Sequence, residues 1–309
     1  MPGLELSEAA IEDVPLAQFS CVRARSREII DQQSDVGQIC NRQFESPMRR
    51  SSFLCRLRSP GSAFFTSIVV IRGQEPILVE TSAPIVRDDY LQAAFSLVDP
   101  KDVRWIFLSH DDRDHSGNIM QVLEACPNAR LVTNFVGLGR MTEEFDLPPP
   151  RMYFVNDGES FSAGDRTLAA IRPPYYDSPA TRGLWDATTG VYFAADAFGA
   201  VVPGECEYVR DVDADVYTTG FNWFNRANSP WHEITDPTKV NAVVDRIRRL
   251  EPQVIVSAHG PSAVDSSDKL CAMLAEIATM DPLVLPNQAE FEQMLSAMEA
   301  AEPPVAPPV

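Results

Sequence analysis

The chain has 309 residues, of which 45% are hydrophobic and 23% charged, as in an ordinary globular protein. Its formal net charge of −18 argues against a large nucleic-acid interface, because binding to phosphates needs a basic surface. No apolar run approaches the roughly 20 residues of a membrane-spanning helix, and the first residues do not resemble a signal peptide. We therefore expect a cytoplasmic protein that binds neither nucleic acid nor membrane, although the acidity can also serve solubility alone.

The cysteines are scattered along the chain and form no CxxC pair. Scattered thiols in a reducing compartment are usually small buried hydrophobic residues, so a metal site built from thiolates is disfavoured. The six cysteines are Cys21, Cys40, Cys55, Cys126, Cys206 and Cys271.

Residues 1–52 mix apolar and charged positions and are predicted to form an N-terminal extension packed on the main domain, with loosely helical spacing over 21–39. Apolar runs bounded by turn residues then predict strands that alternate with helices. The predicted strands are 67–71 and 76–80, as a hairpin, 103–108, 130–133, 167–171, 191–195 and 254–257. The predicted helices are 119–125, 240–250 and 287–301.

This alternation, without a long linker, favours a single layered α/β domain over residues 53–285. Residues 286–309 are predicted to add a C-terminal helix followed by a disordered proline-rich tail, which ends in EPPVAPPV.

The segment from His110 to His115 carries two imidazoles and three carboxylates within six residues, directly after an apolar strand. A solvated acidic loop would explain the aspartates but not the histidines, because the whole chain has only four. A tight turn with alternating donors can aim several ligands at neighbouring points, as a two-metal centre requires.

This pattern, HxDxDH, resembles the HxHxDH signature of the metallo-β-lactamase superfamily, with Asp112 at the position of a histidine. It is most similar to HxExDH, the pattern of the diiron domain of flavodiiron proteins. The resemblance covers roughly residues 60–262 and implies an αββα sandwich, in which two mixed sheets carry helices on their outer faces.

The later ligand positions of that family have counterparts at similar spacing. Between His115 and Asp177 lie 61 residues, between Asp177 and Asp196 lie 18, and between Asp196 and His259 lie 62. The resemblance implies that Asp196 bridges two metal ions. One ion would take His110, Asp112 and Asp177, and the other Asp114, His115 and His259.

Asp177 departs from the family pattern, which has histidine there. The site would then hold four carboxylates and three imidazoles, and anionic oxygen ligands favour iron or manganese over zinc. We expect two iron ions, with manganese or zinc as alternatives. The shorter Asp177 side chain could also fail to reach the metal and leave a coordination position open.

A physical argument independent of the family supports the same set. Each candidate follows an apolar strand, and strand ends on one edge of an α/β fold can converge on one site. The four segments are VRWIFL before His110, TLAAI before Asp177, VYFAA before Asp196 and VIVSA before His259.

His232, the remaining histidine, is either a loop residue with ordinary hydrogen bonds or a residue that supports or replaces a metal ligand. Tyr175 and Tyr176 are further candidates for support of the ligands. A group of aromatic residues is expected in loops beside the ligands, where it would wall an apolar pocket, form a dimer contact or pack in the core. The group is Tyr175, Tyr176, Tyr217, Phe221, Trp223, Phe224 and Trp231.

Three functions from different classes fit this site. The first is a diiron oxidoreductase that activates dioxygen, either to oxidise a small organic substrate or to reduce O2 or NO with electrons from a separate electron-transfer protein. The second is a metal-dependent hydrolase of an ester, thioester or lactone. The third is a non-enzymatic oxygen or redox sensor.

The expectation favours an oxidase or oxygenase. Flavodiiron proteins carry a flavodoxin domain, for which the chain leaves no room after residue 262, and the sequence shows no Gly-rich phosphate loop. The substrate would then supply the electrons. We also expect a homodimer.

Overall fold

A computed structural model describes residues 42–43, 52–58, 65–204 and 206–301. The helical spacing predicted over 21–39 and the predicted disordered tail at 302–309 lie outside the described residues. Most of the predicted N-terminal extension lies outside them as well.

The first sheet has seven strands among the described residues, arranged in chain order. Its first half, from β1 to β4, is antiparallel, and β4 to β7 run parallel. The pairing of Val69 with Val79 forms the predicted hairpin. The strands are β1 (Arg42–Gln43), β2 (Ser52–Arg58), β3 (Phe65–Ile71), β4 (Ile77–Val79), β5 (Trp105–Phe107), β6 (Arg130–Thr133) and β7 (Met152–Phe154).

The second sheet has six strands among the described residues, in the order β13-β12-β11-β10-β9-β8. All its neighbours are antiparallel except β11 and β12. Both sheets are therefore mixed. The strands are β8 (Ser160–Ser162), β9 (Thr167–Ile171), β10 (Gly183–Asp186), β11 (Val191–Phe193), β12 (Val254–Val256) and β13 (Ala263–Val264).

The helices before the last one pack on the outer faces of the two sheets, whereas the last helix follows the last strand and is largely exposed over the part whose burial is described. The first four follow strands of the first sheet, and the next three belong to the second. They are α1 (Arg87–Leu97), α2 (Arg113–Ser116), α3 (Ile119–Ala125), α4 (Phe135–Met141), α5 (Ala214–Asn228), α6 (Pro237–Arg248), α7 (Ser267–Glu276) and α8 (Gln288–Ala301).

Alternation along the strands divides the core into layers. On β3, Val69 and Ile71 pack between the two sheets, whereas Ile68 and Val70 pack against α1 and α3. A third cluster joins the outer face of the second sheet to α5, α6 and α7. Side chains on a strand point alternately to opposite faces, so an apolar run such as that of β3 is buried on both sides. The result is the predicted αββα sandwich.

One group of residues differs from the prediction. Tyr217, Phe221, Trp223 and Phe224 were expected in loops, but they lie on helix α5. Tyr217, Phe221 and Phe224 recur at the spacing of one helical face and are buried, which is the reason they form a helix. This face carries the contact between α5 and the site edge of the second sheet.

Among the described residues, no helix combines the length and the apolar composition that crossing a membrane requires.

Candidate metal centre

The seven predicted ligands follow strand ends on one edge of the sandwich. His110 lies three residues after β5, and Asp177 lies in the loop between β9 and β10. Asp196 and His259 each follow the end of one of the paired parallel strands β11 and β12 by three residues. Strand ends on one edge bring side chains that are far apart in sequence to one place.

The central group consists of two buried imidazoles and one buried carboxylate. His110 Nε2 lies 3.5 Å from Asp196 Oδ2, and His115 Nε2 lies 3.1 Å from Asp196 Oδ1. The centroids of the His110 and His115 rings are 4.0 Å apart. Asp196 therefore presents one oxygen toward each imidazole, an arrangement that could bridge two cations.

Each side of this group is extended by further donors. On one side, His259 Nε2 lies 3.1 Å from Asp114 Oδ2 and 3.4 Å from Asp196 Oδ1. On the other, His110 Nε2 lies 3.6 Å from Asp177 Oδ1 and 3.9 Å from Asp112 Oδ2. Three sets have donor atoms within 4.8 Å of one another: His110, His115 and Asp196; Asp114, His115 and His259; and His110, Asp112 and Asp177.

Several donor atoms of the central group are buried without a hydrogen-bond partner among the described residues. These atoms are His110 Nε2, His115 Nε2 and Asp196 Oδ1, the last two of which lie 3.1 Å apart but without the angles of a hydrogen bond. Because a buried polar atom without a partner costs about 1–3 kcal/mol, such atoms rarely cluster without a ligand. Imidazole nitrogens and carboxylate oxygens that converge in this way fit a pair of metal ions.

The electrostatics of the site also call for positive charge. Burial opposes protonation of the imidazoles, but the nearby carboxylates outweigh it. They raise the pKa of His259 to about 10 and that of His115 well above its usual value. Burial likewise opposes ionisation of Asp196, yet the three imidazoles hold its pKa well below the usual value. Cations bound at the same donors would supply this charge.

Asp112 and Asp177 are partly exposed, as is Asp114 on the other side of the site, at 39%. The side chains of Asp112 and Asp177 are 42% and 27% exposed, compared with 5% for Asp196. Burial, followed by the nearby Asp196 carboxylate, raises the pKa of Asp177 to about 6. Asp177 therefore lies close enough to the other carboxylates for their charge to raise its pKa, while its side chain remains accessible from solvent.

The remaining aspartate of this segment, Asp111, has a different role. It accepts a hydrogen bond from Ser178 Oγ at 2.7 Å and another from the Arg140 side chain. Since Ser178 directly follows Asp177, Asp111 ties the histidine-rich loop to the loop that carries Asp177. The HxDxDH pattern left Asp111 out of the predicted ligands but assigned it no role.

The loop after β11 is held in an unusual backbone conformation. Ala195 and Phe198 have φ values of 54° and 64°, which are uncommon for residues other than glycine. Ser257 Oγ donates to the Asp196 carbonyl at 3.1 Å, and Asn225 on α5 accepts from the Phe198 amide. These bonds fix the direction of Asp196, and such strain is typical of functional sites.

Glu80, directly after β4, is a site residue that the sequence interpretation missed. Its Oε2 lies 3.0 Å from His115 Nδ1, and its Oε1 accepts a hydrogen bond from the Ser109 amide at 2.9 Å. The Ser109 hydroxyl in turn lies 2.8 Å from His110 Nδ1. The signal that could have revealed Glu80 is an acidic residue at the end of an apolar strand.

His232 does not join any of the three donor sets found among the described residues. It is buried, and its Nδ1 lies 3.1 Å from the Ser229 carbonyl oxygen. Tyr175 and Tyr176 pack against Trp231 with tilted rings, whose centroids are 5.4 and 5.3 Å away. Trp231 Nε1 also donates to the Tyr176 carbonyl at 2.9 Å, so this cluster supports the Asp177 loop.

The fold and the site define a metallo-β-lactamase-fold protein with a carboxylate-rich candidate centre for two metal ions. The chain belongs to the ODP family of beta lactamases, since the model described as "ODP family beta lactamase" matches residues 65–260. This membership confirms the predicted superfamily.

Several curated relatives are diflavin or type A flavoproteins, and several similar structures are flavodiiron proteins. The chain is 25% identical over 196 residues to the putative diflavin flavoprotein A 1 of Nostoc sp., which covers 62% of this chain and 32% of that protein. It is similar in fold to the rubredoxin oxygen:oxidoreductase of Desulfovibrio gigas, with a TM-score of 0.62, 18% identity, and coverage of 75% of this chain and 61% of that one. The chain spans between a third and a half of the length of the first curated relatives that it matches.

A third similarity is to a structure of a peroxy diiron species of the chemotaxis sensor ODP. The TM-score is 0.59 at 20% identity, and the match covers 77% of this chain and 94% of that one. At this identity the likeness to solved structures concerns the fold.

Proposed function

We propose that the chain holds two iron ions and that the pair binds dioxygen or nitric oxide. The observation that carries this proposal is the buried group of His110, His115 and Asp196, whose converging donor atoms lack hydrogen-bond partners among the described residues. In this proposal Asp196 bridges the ions. His110, Asp112 and Asp177 hold one ion, and Asp114, His115 and His259 hold the other.

The ligand charge supports iron over zinc. Four carboxylates offset four positive charges, so a pair of divalent ions is neutralised and a higher-valent pair is tolerated. Oxygen-rich sites favour iron or manganese, whereas zinc sites are richer in nitrogen or sulfur ligands. Bound iron would supply redox chemistry, while the protein positions the ions and limits access to them.

Access to the site supports a small ligand that reaches the metal pair past its partly exposed carboxylates. Asp112, Asp114 and Asp177 are partly exposed, whereas Asp196 and the three histidines are buried. A small molecule can therefore approach the pair without displacing the buried ligands. We propose that dioxygen, nitric oxide or a small organic substrate enters past these carboxylates, and that electrons come from the substrate or from a separate electron-transfer protein.

Metal analysis combined with oxygen consumption tests the proposal. The protein would be produced without added metal and assayed for iron, manganese and zinc per chain. An anaerobically reduced sample would then be mixed with oxygenated buffer while its optical spectrum is recorded. We expect two irons per chain and a spectral change on mixing. Two zincs, together with turnover of an ester, thioester or lactone, would instead support the hydrolase.

A sensor without turnover is the second candidate, because the ODP match covers nearly all of that sensor chain. The two functions differ in stoichiometry. An oxidoreductase consumes oxygen continuously while an electron donor or oxidisable substrate is present. A sensor binds or reacts about once per site and then stops, so the course of oxygen consumption separates them.

A further inference from the structure

Two arginines lie at the base of the loop that carries Asp177. Strand β9 ends at Ile171 and β10 begins at Gly183, and these two residues pair in the antiparallel register. The next residue on each side, Arg172 and Arg182, therefore flanks the neck of the loop. Like charges opposite each other across paired strands are destabilising unless something compensates them.

The Arg172 and Arg182 guanidinium groups donate hydrogen bonds to backbone carbonyl oxygens. Arg182 Nη1 donates to Thr181 O at 2.6 Å, and Arg172 Nε donates to the same oxygen at 3.4 Å. Arg172 Nη2 donates to Pro179 O at 3.1 Å. Within the described part of the chain, no carboxylate accepts a hydrogen bond from either guanidinium.

Arg182 is the more confined of the two. Its side chain belongs to a residue that is only 8% exposed, and its Nε is buried without a hydrogen-bond partner among the described residues. Burial, and then the nearby Arg172, lower the pKa of the Arg182 guanidinium. A buried cation without a paired anion is costly, because its solvation is lost without replacement.

The acidic residue that acts on this pair, Asp157, is already engaged. Its two oxygens accept from Arg246 Nη1 and Nη2, both at 2.7 Å, and Oδ1 also accepts from the Arg172 amide at 2.7 Å. The guanidinium groups of Arg246 and Arg182 thus both act on one carboxylate, to which Arg172 donates only its backbone amide, in a chain whose net charge is −18. The surroundings of Arg172 and Arg182 are therefore positively charged, whereas the protein as a whole is negatively charged.

We propose that Arg172 and Arg182 form a binding site for a small oxyanion, namely a phosphate or carboxylate group. Guanidinium groups bind these anions through planar, charge-assisted hydrogen bonds. The Tyr176 ring lies under Arg172, with the guanidinium carbon 5.1 Å from the ring centroid, and limits the orientations of that side chain. The site uses none of the candidate metal ligands, so it goes beyond the proposed function.

A bound oxyanion would also affect the neighbouring loop. Arg182 donates its amide to the Ser109 carbonyl at 2.9 Å, so the loop neck contacts the segment that precedes His110. An anion between the two guanidinium groups would remove their repulsion and tighten the neck. Simple bracing of the loop by the arginines is the competing explanation, and it predicts no anion binding.

Calorimetric titration of the metal-loaded protein tests the site with three probes: inorganic phosphate, methyl phosphate and acetate. Arg172→Gln and Arg182→Gln are compared with Arg130→Gln. Arg130 is a matched control, because it also lies over a tyrosine, at 4.7 Å from the Tyr153 centroid, and donates to a backbone carbonyl. Because Arg182 is buried, Arg172→Gln and Arg182→Lys serve if Arg182→Gln does not fold.

We expect at least one probe to bind the unaltered protein and the Arg130 variant alike. Each variant that removes a charge from the pair should weaken binding about tenfold or more, in line with loss of a charge-assisted hydrogen bond. Tighter binding of methyl phosphate than of phosphate indicates an organic phosphate ligand, and the reverse indicates the free ion. Absence of binding by all probes, or equal affinity in all variants, would overturn the proposal.

Discussion

Glu80 uses both carboxylate oxygens to hold the two ends of the segment that carries His110 and His115. Oε2 lies 3.0 Å from His115 Nδ1 and Oε1 accepts from the Ser109 amide at 2.9 Å. The residue has a φ of 69°, a conformation that costs a non-glycine residue about 1 kcal/mol or more. With the His115 proton on Nδ1, the Nε2 lone pair faces the candidate metal centre.

Glu80→Gln should weaken metal binding more than it alters the fold. Glutamine has one acceptor oxygen, so one of the two donors, Ser109 N–H or His115 Nδ1–H, would meet an amide NH2 group. We expect a loss of about 10–100-fold in metal affinity, the range for partners that orient metal-ligating histidines. Competition with a chromophoric chelator measures this affinity.

Glu75→Gln is the matched control for Glu80→Gln. Glu75 lies just before the same strand and accepts from Trp105 Nε1 at 2.6 Å, at the end far from the site. This variant should retain the original metal affinity. A similar loss of affinity in both variants would show that Glu80 acts through the strand rather than through His115.

His110→Ala and His259→Ala should each lose bound metal and lower the melting temperature of the metal-loaded protein. His110 follows a strand of the first sheet and His259 follows a strand of the second. Metal bound between these residues therefore links the two sheets and stabilises the folded state. Metal content per chain and thermal unfolding with and without chelator measure the two effects. His232→Gln is the comparison, since His232 lies outside the three donor sets, and it should keep its metal. Two metals per chain in either alanine variant would refute the ligand assignment.

Much of this site followed from local sequence. The pattern of the strands predicted which residues would lie at one edge, and the sandwich brings all seven predicted donors into the three sets. The strand ends predicted as 108, 195 and 257 fall at 107, 193 and 256, because the last one or two residues of each run already belong to the site loops. Apolar runs and closely spaced ligand residues are local features of the sequence, so they can be recognised without the tertiary structure.

Other features depend on contacts between distant segments and could not be predicted. Glu80 is one acidic residue among 44 acidic side chains in the chain, and only the parallel pairing of β4 with β5 places it beside Ser109. Helix α1 has a weakly amphipathic sequence, RDDYLQAAFSL, and packs through Tyr90, Ala94 and Leu97. The tertiary structure therefore determines both the position of Glu80 and the packing of helix α1.

Asp196→Asn should impair the metal pair more than Asp112→Asn does. Asp196 lies between the imidazoles, with one oxygen toward His110 and the other toward His115, whereas Asp112 approaches His110 alone, at 3.9 Å. Loss of a bridge affects both ions, while loss of a terminal ligand affects one. We expect fewer than one metal per chain in the first variant and between one and two in the second. Equal metal content and an equal spectral response to oxygen would argue against a bridge.

Asp177→His should retain iron and make the pair easier to reduce. The substitution restores the histidine of the flavodiiron pattern and removes one of four carboxylates, the one whose Oδ1 lies 3.6 Å from His110 Nε2. Anionic ligands stabilise the ferric pair more than the ferrous pair, because they offset the added positive charge. A tenfold change in this preference corresponds to about 60 mV in a one-electron couple, and the partial exposure of Asp177 will reduce the effect through solvent screening.

The reduction potential should therefore rise by tens of millivolts, on the order of the 60 mV given by a tenfold change. Electron transfer from an added donor to the ferric pair should become more favourable, whereas electron transfer from the ferrous pair to oxygen should become less favourable by the same amount. Asp177→Asn removes the charge without adding an imidazole ligand. If loss of the charge is the cause, redox titration should show a raised reduction potential in both variants. An unchanged potential and spectrum in both would mean that Asp177 does not contact the metal and does not direct the chemistry of the site.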